Sequence, residues 1–500
     1  MKNRSVTPAR NPRATAASVA LLAALAVNSA SAQITWSGAT DNDWLTGSNW
    51  GGAVPGATDT ARFDSVRANN APSLTADTTV RRVEFLAGAG AYTISGSRLT
   101  LDRSGQTGAA IENNSGAVQT FTNPITLSST ENNRSLAAGA GSTLTFTNTI
   151  TMARPSGSAD THLVLSGAGT INLAGLSGFN QLQQTGSLTV NINTAVPANG
   201  GVNGVFSTNG DGRINLNANS ARWVSMGSSS SGNGRIFLAT AGVSVATAEF
   251  RGGNNTTSTF GADIAGGGTA TTLGITNNSA TRTGATYIIS AAAGNTLNVD
   301  GVVSGSGGAG TKYQIQGPGV VRFSGATANT SSLPLEVFSG RLELNKPAGI
   351  DAIGGGSVSI LSGAELRLLA ANQIADSVGM TLAGGTFHVN GHSETLGGLT
   401  LAAATTSFID FGAGASTLLF SSIAGTGNLT VSNWTQGSDS FRFTADPSAF
   451  LGQISINGLG ASATDMGGYW EITAIPEPSA FAALAGLGAL GLAASRRRRR

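Results

Sequence analysis

Apolar residues in the last third of the chain fall on two interleaved series that share one period. Leu342, Leu366, Phe387, Ile409 and Leu429 are separated by 24, 21, 22 and 20 residues. Between them, Val358, Met380, Leu399 and Leu418 follow one another at 22, 19 and 19. Most members sit in short apolar–x–apolar units entered through glycine or small polar residues, such as GRLEL ending at Leu344, GTFHV at Val389 and GNLTV at Val431. Such alternation buries one face of a short strand, and the flanking Gly, Asn, Ser and Asp supply turns. Two strands in every period of roughly 20–22 residues predict a coil, and repeated coils predict a solenoid that buries each apolar face against its neighbours.

The same unit recurs upstream, in SRLTL ending at Leu101, STLTF at Phe146, GSLTV at Val190, GRINL at Leu216 and NTLNV at Val299. The expected fold is therefore all-β, a parallel β-helix or β-solenoid over residues 106–470, preceded by a Trp-containing β module at 33–105 that caps it. Leucine-rich repeats have a similar period, but their L-x-x-L-x-L-x-x-N frame is not sustained. A set of β-sandwiches would need hairpin turns every 8–12 residues. The 70 glycines in 500 residues argue against helices, because each Gly costs ~1 kcal/mol relative to Ala inside one. A stack of coils needs no wide core, which suits a charged fraction of 11% and an aromatic fraction of 6%. With no cysteine, disulfide scaffolds, thiol nucleophiles and cysteine-held metal clusters are excluded.

Both ends of the chain carry addresses. Lys2, Arg4, Arg10 and Arg13 precede the apolar run Ala16–Val27, and Ala30-Ser31-Ala32 precedes Gln33. A basic segment, a short apolar segment and an A-x-A exit are the three parts of a secretory signal, here expected over 1–32 with cleavage between Ala32 and Gln33. At the other end a linker over 471–478 contains Pro476, Glu477 and Pro478. An uncharged apolar stretch follows over 479–495, then Arg496, Arg497, Arg498, Arg499 and Arg500. That stretch makes ~25 Å of helix at 1.5 Å per residue, which predicts one short transmembrane helix. The arginine cluster places its end in the cytoplasm and everything upstream outside.

This terminal order, Pro-Glu-Pro, a Gly/Ala/Leu-rich span and an arginine cluster, resembles the PEP-CTERM sorting signal of exported proteins of Gram-negative bacteria. The resemblance implies transient residence in the inner membrane and recognition at Pro476, Glu477 and Pro478 by an exosortase. Removal of the tail and release toward the cell surface or matrix would follow. Residues 341–431 further resemble autotransporter-associated β-strand repeats of surface passenger proteins, and ITWSGATDNDWLTGSNW from Ile34 resembles the segment that precedes such repeats. No terminal β-barrel pattern accompanies them.

Catalytic and metal-binding arrangements are sparse. Glycan-cleaving enzymes need two carboxyls about 5–9.5 Å apart, and the closest useful groupings are Asp41/Asp43 and Glu336/Glu343. They read as solvated turn and edge charges. His388 and His392 flank a turn beside Glu394, without an evident third ligand. Asp41-Asn42-Asp43 lacks the distal glutamate of a calcium loop. Gly305–Gly310 spells G-x-G-x-x-G but runs into a strand pattern where a dinucleotide fold needs a helix. No metal and no cofactor are expected. Trp36, Trp44 and Trp50 form either a sugar-stacking platform or the cover of the solenoid's first coil.

Residues 33–475 hold 19 basic and 25 acidic side chains, so the basic character of the whole chain lies in its two ends. A mildly acidic mature protein argues against nucleic acid as a partner. The expectation is an exported surface or matrix protein of structural or adhesin-like role, with exopolysaccharide as a candidate partner. The alternative is a β-helix polysaccharide lyase or glycoside hydrolase.

Overall fold

The structure is a computed structural model. It describes residues 31–475 except 105–107, 129–132, 154–161, 180, 196–204, 210, 227–233, 252–255 and 278–279. The described residues form 43 strands and two short 3₁₀ turns, Gly47–Trp50 and Ser448–Gln453. The strands belong to a 24-stranded and a 19-stranded sheet. Among the described residues no helix is long and apolar enough to cross a membrane. Residues 1–30, which hold most of the expected signal segment, and the expected membrane segment 479–495 lie outside the described residues.

Neighbouring strands in the first sheet pair in parallel from Gln33–Thr35, through Thr60–Phe63 and Arg82–Phe85, to Ile454–Ile456. The chain passes alternately through the two sheets, so a strand hydrogen-bonds to the strand one coil away. The result is an all-β parallel solenoid. Inward residues stack in register: Val190, Ile214, Ile236, Phe260, Ile289 and Ile315 stand opposite one another on successive coils, and all are buried. Burying each such side chain is worth about 1.5–3 kcal/mol, and in a stack this gain comes only from adjacent coils.

The apolar series read from the sequence belong to these ladders, with two corrections. Leu342, Leu366, Phe387 and Ile409 are successive partners, but Ile409 faces Val431, with Leu429 opposite Ser407. Leu429 and Val431 both point inward, and alternation repeats every two residues, so the pattern alone leaves a two-residue slip open. Val358, Met380 and Leu399 are likewise partners, but Leu399 faces Ile423. Leu418 stands in a further ladder, opposite Glu394 and Phe441, because the last coils carry a third strand each.

Extra strands also mark the first coils. Two separate ladders, one through Tyr92–Gly96 and Val118–Phe121 and the other through Leu99–Asp102 and Ile125–Ser128, both pair with the ten-residue strand Thr143–Met152. The expected junction at 105/106 interrupts neither sheet, since Arg82–Phe85 pairs with Ile111–Asn113 across it. Residues from Gln33 onward are thus coils of the same stack. At the other end, parallel pairing stops at Ile456, and Leu459–Asp465 with Trp470–Ala474 forms an antiparallel hairpin. The expected solenoid limit at 470 falls on that hairpin's second strand, which also takes in residues 471–474 of the expected linker.

Candidate functional site

The three N-terminal tryptophans are packed against one another. Trp36 and Trp44 have no exposed surface and Trp50 has 3%. The Trp50 ring lies edge-on to both others at 4.9 and 4.7 Å and is 5.8 Å from Phe63, which stacks on Phe85 in the next coil. Trp50 Nε1 donates to the Trp44 carbonyl at 2.6 Å, and Trp36 Nε1 to the Asn69 carbonyl at 2.8 Å. Sugar stacking needs an open ring face, and these rings offer none.

Asp41 and Asp43 lie in the loop over this cluster, and both work as turn acceptors. Asp41 Oδ1 accepts the N–H of Asp43 at 2.8 Å, and Asp43 Oδ1 that of Leu45 at 3.0 Å. The residue that ties the loop down is Asn49, which is fully buried. Its Oδ1 accepts from Thr40 N, and its Nδ2 donates to Asp41 Oδ1 and the Asp43 carbonyl. Nothing in its sequence context distinguishes Asn49 from the chain's many turn asparagines.

Glu336 and Glu343 are close in sequence but belong to different sheets. Glu336 receives Lys312 Nζ at 2.6 Å and the Gln314 amide. Glu343 belongs to a charged column on the outside of the first sheet, where Arg322, Glu343, Arg367, His388 and Asp410 stand opposite one another on successive strands. Arg322 Nη2 reaches Glu343 at 2.7 Å, while in the adjoining column Glu365 pairs with Arg341 at 3.0 Å and with Arg367 at 2.6 Å. Opposite charges across strands stabilise a ladder and like charges disfavour it. Both glutamates therefore have structural ion-pair partners.

His388 stands between Arg367 and Asp410 in this column, with Nε2 3.7 Å from Asp410 Oδ2. Burial holds the imidazole below its ordinary range, against the opposing pull of Asp410. His392 occupies the following turn, and His162 begins the strand His162–Gly167 on another coil. Among the described residues no group of three or more His, Asp or Glu is placed to hold a metal ion. The glycines at 305–310 form a loop that leads into the strand Lys312–Gln316.

An open groove on the described surface has a volume of about 460 Å³. It forms where the pairing of Gly268–Asn277 with Asn295–Val303 shifts register after Thr272. Gly301 sits in the resulting bulge, where a Cβ would lie 1.5 Å from the Leu273 carbonyl oxygen. Thr247, Thr276, Ser304 and Thr327 line the groove together with Leu273 and Val302, and among the described residues no ionisable side chain lines it. Such a surface offers hydrogen bonds and apolar contact but no acid or base. Behind it, the buried Lys346 Nζ donates to the carbonyls of Gly301 at 2.9 Å and Ser324 at 2.7 Å.

Of the sequence-read addresses, only the edges are visible. The Ala32 carbonyl accepts the Thr60 N–H at 2.8 Å, and Gln33 opens the first strand. Ala30, Pro476, Glu477, Pro478 and Arg496–Arg500 lie outside the described residues. Residues 474–499 match the PEP-CTERM protein-sorting motif. Neither curated proteins nor solved structures gave a match to the chain. The motif indicates an exported protein sorted toward the cell surface, and it is associated with exosortase processing.

Proposed function

We propose that this protein is a non-enzymatic structural or adhesin-like component of the cell surface or extracellular matrix. It is exported through Sec by residues 1–32, held briefly in the inner membrane by residues 479–495, and released by exosortase processing near Pro476–Pro478. Residues 341–431 act in this reading as passenger-like repeats, and a neutral exopolysaccharide is the partner suited to the uncharged groove at Thr247–Thr327. The observation that carries the reading is the conjunction of the sorting motif at 474–499 with the parallel solenoid that precedes it over Gln33–Ile456. Carboxylates that could serve a hydrolase or lyase, Glu336 and Glu343, are each held by basic side chains in separate sheets, which supports a scaffold over an enzyme.

The processing step breaks one peptide bond downstream of Ile475, and water supplies the hydroxyl of the new carboxylate and the hydrogen of the new amine. Cell fractionation with mass spectrometry of the mature C-terminus tests the sorting role. A product in the surface fraction that lacks Arg496–Arg500 is expected. An inner-membrane protein with its arginines intact would refute the reading.

A further inference from the structure

The last strand among the described residues has neighbours on both sides. Trp470–Ala474 pairs with Ser440–Phe443, setting Ile472 opposite Phe441 and Trp470 opposite Phe443. On its other edge it pairs with Leu459–Asp465, setting Ile472 opposite Ala463 and Ala474 opposite Ala461. Ile472 is fully buried. Arg442 Nε donates to Glu471 Oε2 at 2.7 Å, and the hydroxyls of Ser462 and Thr473 lie 3.0 Å apart. The pairing runs to the end of the described chain, where the Ile475 N–H donates to the Gly460 carbonyl at 2.7 Å. Pro476, the first residue of the Pro-Glu-Pro triplet, follows in sequence. Proline has no N–H, so it cannot prolong the ladder as a donor.

Proteins that grip an extended peptide commonly do so by pairing with its free backbone groups. Upstream of Pro476, Trp470–Ile472 are engaged on both edges of one strand, and Thr473–Ile475 on the hairpin edge. A flexible linker would supply slack, but no residue separates Ile475 from the triplet. Resting on the sorting reading above, we infer that the Trp470–Ala474 strand is a clasp. It withholds the residues upstream of Pro476 from the processing enzyme, so that the folded solenoid limits the rate of its own release. Freeing the strand breaks two ladders together and uncovers Ile472 along with its neighbours Phe441 and Phe443. Local openings of that extent are far rarer than fraying of an edge strand.

The test is a pulse–chase of the full-length protein in an exporting host that carries out this processing, with the C-terminus of the product read by mass spectrometry. One variant carries about eight Gly and Ser residues between Ile475 and Pro476, enough to act as a flexible coil. A second carries the same insert between Gly467 and Gly468, in the exposed hairpin turn. The 475/476 insert is expected to shorten the precursor half-life several-fold, and the turn insert to leave it unchanged. Equal half-lives for the wild type and the 475/476 insert, or equal acceleration by both inserts, would overturn the clasp while leaving the sorting role intact. If no protein is processed at all, the sorting reading fails and the clasp with it.

Discussion

Glu394 accepts the backbone N–H of Gln373, one coil earlier, at 2.7 Å on one carboxyl oxygen, while its other oxygen is buried without a hydrogen-bond partner among the described residues. Gln373 uses its own Oε1 in the same way, accepting the Lys346 N–H at 2.8 Å, and Asp439 accepts that of Ser416 at 3.1 Å. Side chains of one coil thus satisfy turn donors of the coil before it. A buried N–H left unpaired costs about 1–3 kcal/mol.

Burial pushes the Glu394 carboxyl up to about 8, and the backbone N–H groups of Gln373, Ile374 and Thr395 only partly offset this. Nearby Asp376 adds a smaller push in the same direction. The folded state therefore holds this proton more tightly than the unfolded chain, whose carboxyl titrates near 4.5. The stabilising contribution is complete below that value and is lost as pH rises toward about 8. Urea denaturation of the 33–475 chain at several pH values should show wild-type stability falling across this window more steeply than that of Glu394→Gln. Parallel curves for the two proteins would rule out a protonated Glu394.

Trp50→Ala removes the ring that touches both other tryptophans and Phe63. A loss of about 3–5 kcal/mol is expected for truncating a buried aromatic of this size. Because coils stabilise only their neighbours, the damage should be local. Hydrogen exchange should rise over Gln33–Phe85 and stay unchanged over Arg341–Ser432. Uniform loss of protection along the chain would contradict nearest-neighbour stacking.

Gly301 and Gly349 make a matched pair. At Gly301 a methyl group would sit 1.5 Å from a backbone oxygen, whereas at Gly349, with φ of 81°, it would meet nothing within 4 Å. Gly349→Ala should cost about 1–2 kcal/mol, the usual penalty for an L-residue in the left-handed region. Gly301→Ala should cost clearly more, because the bulge must move. Thermal melts of the two variants decide it, and a similar drop in both would mean that the bulge tolerates displacement.

Lys346→Met keeps most of the buried stem and removes the ammonium that holds the Gly301 and Ser324 carbonyls. Two buried acceptors lose a charged donor, which predicts a loss of a few kcal/mol. Exchange protection should fall around Asn295–Val303 and Val320–Phe323. Lys346→Met with wild-type stability would mean that water replaces the ammonium without cost.

The periodic part of this architecture was legible because the coils between Arg341 and Ser432 are nearly equal in length. Upstream, the partners Phe260 and Ile289 are 29 residues apart, while Ile171 and Val190 are 19 apart. Coils of such unequal length keep the strands but blur the period. Polar side chains at inward positions were harder to read. Gln373 and Glu394 break the apolar alternation that marks an inward face, and the turn donors they satisfy come from a neighbouring coil. The burial of Trp36, Trp44 and Trp50 follows from the loop that Asn49 ties over them, which spacing along the chain does not encode. The clasp was hidden for a similar reason: EIT at Glu471–Thr473 reads as one more short strand, and nothing in it announces antiparallel pairing.

That reversal of direction gives the rod two unlike ends. A uniformly parallel stack presents each end as a template on which another chain could continue the same ladders, as filaments do. Here the hairpin turns the final strands against the direction of the coils, and in the other sheet the last strand, Ile423–Gly425, is only three residues long. Short and reversed edges are poor templates for added strands. A second copy would therefore find no long parallel strand to extend at this end of the described chain, in either sheet.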